Sequence, residues 1–100
     1  MIVLDSSVIL ASIFAETGGD DILDRLQDAA MLSVNVTEVI SKLTEKGWSF
    51  DEAVADFGTY GLDVIDFDAE LAIDAGRLHA PTRGAGLSLG DRACLALARR

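Results

Sequence analysis

Three short and nearly unbroken apolar runs, Met1–Leu4, Met31–Val34 and Val64–Phe67, each hand over to a stretch patterned like a helix. Runs of this kind are what strands look like when helices cover both faces of their sheet, and parallel neighbours need crossovers of a dozen or more residues. The order therefore predicts an α/β fold with a central parallel sheet. Between the runs, Ser6 to Ala15 reads as one helix, and Gly18-Gly19 breaks the pattern. Asp20 to Ala29 reads as a second helix, with Ile22, Leu23 and Leu26 on one face and acids largely on the other. A third starts at Asn35-Val36-Thr37-Glu38 and ends by Gly47. Ser49-Phe50-Asp51-Glu52 has the form of a capping box, and Asp68 is placed to cap a helix carrying Leu71, Ala75 and Leu78. The segment from His79 to Gly86 is a loop, and Ser88 to Arg100 is the last helix.

The chain has 100 residues, half of them hydrophobic, which suits one domain spanning 1–100. Its single cysteine, Cys94, lies in an apolar stretch and reads as core packing; no intrachain disulfide or cysteine metal site is possible. The first apolar run is stopped by Asp5 without a basic leader, and no later run reaches membrane-spanning length. A soluble, cytoplasmic protein with no membrane partner is expected.

The formal charge is −9, but it is unevenly spread. Residues 1–75 hold three basic side chains against sixteen acidic ones, a balance of −13, whereas residues 76–100 hold five arginines against Asp91, a balance of +4. An acidic body beside an arginine-rich segment could hold cations with one part and phosphates with the other.

Asp5, Glu38 and Asp91 stand where apolar runs give way to helix starts. In open α/β sheets, ligands bind at the carboxyl ends of the strands. Carboxylates gathered there repel one another, and a hard divalent cation such as Mg²⁺ or Mn²⁺ relieves that repulsion. A competing explanation is equally available from the spacing. Asn35-x-x-Glu38 and Ser88-x-x-Asp91 both have the form of capping boxes, and Asp5 before Ser6-Ser7 could cap a helix. Rival phosphate chemistries fit less well. A haloacid-dehalogenase-type phosphatase needs an aspartate where Ser7 stands, and a receiver domain needs a late lysine, whereas no lysine follows Lys46. No glycine-rich nucleotide cradle is present.

Three stretches in order carry a resemblance: Ile2-Val3-Leu4-Asp5-Ser6-Ser7, then Val34-Asn35-Val36-Thr37-Glu38-Val39, then Leu87-Ser88-Leu89-Gly90-Asp91-Arg92-Ala93-Cys94-Leu95-Ala96-Leu97-Ala98. With them the chain resembles a PIN domain, specifically the toxin ribonuclease of a VapBC-type toxin–antitoxin pair. The resemblance implies a three-layer fold in which Asp5, Glu38 and Asp91 are the catalytic Mg²⁺ or Mn²⁺ ligands of an endoribonuclease. It also implies that Ser6 or Ser7 orients the acids, that Asn35 supports them from behind, and that an antitoxin protein neutralises the enzyme. Arg83 and Arg92 are the candidates for gripping RNA phosphates, and a homodimer is expected.

Family members continue past the last helix into a strand ending in a Thr-Ala-Asp-like motif, then one more strand. Neither is present here, so the expectation is a fold that lacks its last strands, with weak or no cleavage from this form. The alternative is a truncated, catalytically impaired module that binds an antitoxin or another copy of itself, through apolar residues such as Phe14, Trp48 and Phe50.

Overall fold

A computed structural model of the chain describes residues 2–15 and 28–100. Strand β1 (Ile2–Val3) leads into helix α1 (Ser6–Phe14); β2 (Ala29–Leu32) runs directly into α2 (Ser33–Glu45). Then come α3 (Phe50–Gly58), β3 (Asp63–Ile65), α4 (Ala69–Arg77), a 3₁₀ turn over Arg83–Ala85, and α5 (Leu89–Arg99). The strands form a parallel sheet in the order β1-β2-β3. Val3 pairs with Ala30, and Leu32 pairs with Ile65.

The middle strand is buried throughout, and its alternation divides the interior in two. Ala29 and Met31 join Leu4 in a core closed by α1, α2 and α3, centred on Ile9, Val39 and Leu43. Leu32 faces the other way, with Val3 and Ile65 beside it, into a core closed by Leu71 and Ala75 of α4 and by Ala93 and Leu97 of α5. Helices on both faces of a parallel sheet make the three layers that the short apolar runs imply.

The second strand lies two residues earlier than its apolar run suggests. Ala29, expected to close a helix, is strand, while Ser33 and Val34 already belong to α2. Val34 still packs into the second core from the first turn of the helix, so burial is continuous across the strand-to-helix boundary and hydrophobicity does not mark it. Ser33 fixes the turn instead, its Oγ accepting from the Phe67 amide at 3.0 Å. Apart from its last two residues, the helix expected from Asp20 to Ala29 lies outside the described residues, as do the Gly18-Gly19 break and Met1.

The other caps are as the sequence indicates. Ser49 and Glu52 form both bonds of a capping box, and Asp68 accepts from the Leu71 amide at 2.9 Å. Phe14 and Trp48 meet edge to face with ring centres 5.6 Å apart, and Trp48 Nε1 donates to Asp56 at 2.7 Å, so these two rings serve each other, whereas Phe50 stays exposed. Replacing Leu43, wholly buried beneath α2, by alanine should lower stability by about 2 to 5 kcal/mol in chemical denaturation. The same test on exposed Ile73 should change it by no more than about 0.5 kcal/mol.

Candidate active site

Parallel strands bring their carboxyl ends to one rim, and the three acids stand on the elements that reach it. Asp5 is the N-cap of α1. Its Oδ1 accepts from the Ser7 amide at 3.0 Å, the Val8 amide at 3.3 Å and the Ser7 hydroxyl at 2.6 Å. Of the two serines that could orient this acid, Ser7 does so; among the described residues Ser6 makes no side-chain bond to it. Oδ1 takes all three bonds, which leaves Oδ2 outside the cap.

Asp91 is in the first turn of α5 and completes the capping box foreseen from its spacing: Oδ2 accepts from the Ser88 amide at 3.1 Å, and Ser88 Oγ accepts from the Asp91 amide at 3.1 Å. Glu38 has the same spacing from Asn35 but a different role. Helix α2 begins at Ser33 with Leu32 as N-cap, so Asn35 is already inside the first turn and Glu38 lies a turn further on. No side chain caps this helix. Instead the Asn35 side-chain amide, buried to 1% exposure, donates from Nδ2 to Glu38 Oε1 at 3.2 Å. Asn35 thus stands behind one of the acids, as a supporting residue would.

The clearest sign of convergence is Cys94. Read from the sequence as core packing, the thiol is half-buried on α5 and donates to the Leu4 carbonyl at 3.6 Å. Burial pushes its pKa up to about 11, and the negative charges of Asp5, Asp91 and Glu38 all push in the same direction. Three acids from three separate elements are therefore all near enough to act on one sulfur atom. Its place was readable in principle, because Asp91 and Cys94 are three residues apart and so share a helix face. Gly90, also overlooked, is buried, with the Glu38 carboxylate of α2 in the space its side chain would fill.

Asp5, Asp91 and Cys94 line an open groove of about 420 Å³ together with Val3, Leu87, Leu95 and Ala98. A smaller cavity of about 210 Å³ lies at the other end of α5, among Asp74, Arg77, Arg99 and Arg100, away from the three acids. The expected phosphate-gripping arginines are not gathered at the groove by any contact. Arg83 is exposed on the 3₁₀ turn, and Arg92 is half-buried with its Nε enclosed and without a hydrogen-bond partner.

Among the described residues, no group of three or more His, Cys, Asp or Glu side chains closes tightly enough to hold a metal ion. The acids act on one thiol without meeting at one point. Their donor chemistry nonetheless suits a hard divalent cation. Each carboxylate commits one oxygen to the protein, Asp5 Oδ1, Glu38 Oε1 and Asp91 Oδ2, and keeps the other out of these bonds.

The PIN domain family model matches residues 2–100. The chain belongs to the PIN domain family. PIN domains are generally nucleases and typically use divalent metals. No curated protein matches the chain.

With its pKa raised to about 11, the Cys94 thiol is neutral at pH 8 and should alkylate at least about tenfold more slowly than an unhindered cysteine. Because the folded value exceeds the ordinary 9.0, the thiol's contribution to stability is complete below pH 9 and is lost as pH rises toward 11. Asp5→Asn, Glu38→Gln and Asp91→Asn should each move the alkylation profile to lower pH; a profile unmoved by all three would show that the acids do not surround the thiol.

Proposed function

We propose that this PIN domain is a metal-dependent endoribonuclease of the VapC toxin type, cleaving RNA phosphodiesters with Mg²⁺ or Mn²⁺. The observation that carries the reading is that Asp5, Glu38 and Asp91, from three separate elements, all act electrostatically on the one thiol of Cys94, with Asp5 and Asp91 lining the same groove as that thiol. In this reading the three acids hold the cation through the oxygens they do not spend on the fold. A divalent ion bound there would polarise the scissile phosphate and lower the pKa of an attacking water.

The chain's own contribution is placement. Ser7 holds Asp5 through both its amide and its hydroxyl, Ser88 holds Asp91 through its amide, and the buried Asn35 amide holds one oxygen of Glu38. Arg83, exposed beside the entry to α5, is suited to meet an RNA phosphate, and Arg92 next to Asp91 is the second candidate. An antitoxin protein would neutralise the enzyme in the cytoplasm, and the chain would act as a homodimer.

A second reading is favoured by the apolar side chains left outside: Ile2 on the sheet edge and Leu89 and Leu95 on α5 are all exposed. In that reading the domain is catalytically impaired and binds an antitoxin or another copy of itself through this surface.

The two separate in one assay. Purified protein incubated with labelled structured RNA should cut it only when Mg²⁺ or Mn²⁺ is present, and Asp5→Asn should lower the rate at least about a hundredfold. Asparagine caps a helix as well as aspartate does, so that variant should keep its unfolding temperature. RNA left intact at every metal concentration, with tight binding to an antitoxin, would decide for the second reading; undiminished cleavage by Asp5→Asn would remove Asp5 from the site.

A further inference from the structure

Gly90 is buried in the first turn of α5, immediately before Asp91. Its backbone is ordinary helix, unlike Gly47, Gly61 and Gly86, which need the positive φ that glycine tolerates. Conformational freedom therefore does not explain a glycine here, and a helix position would favour alanine.

Space explains it. A methyl group at Gly90 would overlap Glu38 Oε1 outright, and would lie 3.0 Å from Glu38 Cδ and 3.2 Å from Asn35 Nδ2. At each of the other described glycines, an added carbon meets nothing within 4 Å. The atoms in the way belong to side chains, not to the backbone of α2, so close approach of the two helices is not what requires a hydrogen at this position. What occupies the space is the carboxylate.

Resting on the metal-site reading above, we infer that Gly90 is a positioning residue: its missing side chain lets Glu38 of α2 lodge against the first turn of α5, beside Asp91, where both acids can serve one cation. Asn35 holds the same carboxylate from behind. Its amide must present Nδ2, not Oδ1, to the carboxylate, because the reverse orientation would set two acceptors against each other. The buried Oδ1 is left without a partner as a consequence. Glu38 is thus held between a donor that attracts it and a gap that admits it. Any side chain at position 90 would close the gap, and the end of Glu38, being flexible, would swing away while the helices stayed in place.

The test uses the full chain carrying Gly90→Ala, followed by thermal unfolding without metal and by calorimetric titration with Mn²⁺. The variant should unfold at the same or a higher temperature without metal, yet bind Mn²⁺ about tenfold to a hundredfold more weakly, with RNA cleavage falling in step. Shortening the acid should relieve the overlap, so adding Gly90→Ala to Glu38→Asp should change Mn²⁺ affinity by less than threefold. Unchanged Mn²⁺ affinity in Gly90→Ala, an equal loss in the Glu38→Asp background, or a lower unfolding temperature without metal would each overturn the inference. Should the wild type bind Mn²⁺ and lose it on Asp5→Asn while Gly90→Ala binds normally, only the role of Gly90 falls; a wild type that does not bind Mn²⁺ removes the metal site and this role together.

Discussion

The constraint on which the rest depends is the double burial of β2. With Ala30, Met31 and Leu32 fully buried and both edges bonded to parallel neighbours, this strand leaves its neighbours no choice of direction. All chain exits from the sheet therefore lie at one rim, and the first residues after β1 and β2 must be those that start helices. An acid in that position can neutralise the partial positive charge of a helix N-terminus, so residues suited to capping are also residues presented at the rim. Helix α5 packs across β1 and β2 and brings its own N-terminus to the same place, as the bond from Cys94 to the Leu4 carbonyl records.

Capping and ligation are often treated as rival explanations of a carboxylate, and here they are compatible. Asp5 and Asp91 are both genuine caps, and each performs that task with a single oxygen. The bonds fix the side chain's rotation, and so decide where the second oxygen points. Gathering three like charges around a half-buried thiol is unfavourable, and two of the three are partly offset by the helix ends they cap. Among the described residues Glu38 caps no helix and makes no bond to a helix-end amide; it relies on the Asn35 amide and on the room left by Gly90 at the first turn of α5. It is the least anchored of the acids and the one whose position most depends on neighbours.

Much of this was legible in the sequence, for identifiable reasons. The three layers follow from the brevity of the apolar runs, and Ser49-x-x-Glu52 and Ser88-x-x-Asp91 form the boxes their spacing implies. The same spacing failed for Asn35-x-x-Glu38 because the strand passes into the helix at Ser33 with no polar break, so the helix starts before the residues that look like its cap. Cys94 was misjudged for a related reason: apolar neighbours say that α5 is buried on one face, but not which face the thiol shares with Asp91. Gly90 carries no pattern signal at all. Its meaning lies in a contact with a residue fifty-two positions earlier, which only the packing of α5 on α2 creates.

The uneven charge of the chain also looks different once its partners are placed. Of the five arginines in the C-terminal quarter, Arg100 faces Asp68 and Glu70 at 3.6 and 3.5 Å, and Arg77 faces Asp74 at 3.5 Å. Exposed pairs of this kind add little stability, but they spend positive charge on the protein itself. Arg77 and Arg100 are therefore partly spent on the protein's own acids, which leaves Arg83 and Arg92 as the candidates for phosphate, and with a net charge of −9 the body as a whole disfavours RNA. For a nuclease built on this frame, attraction has to come from the rim. There the same acids that repel a phosphate would concentrate divalent cations, so that filling the site and making it hospitable to RNA become one event. In the proposed metal-dependent reading, affinity for RNA would depend on metal concentration more steeply than on any single arginine, and the acidic body, which first looks wrong for a nucleic-acid enzyme, would be what ties substrate binding to the cation.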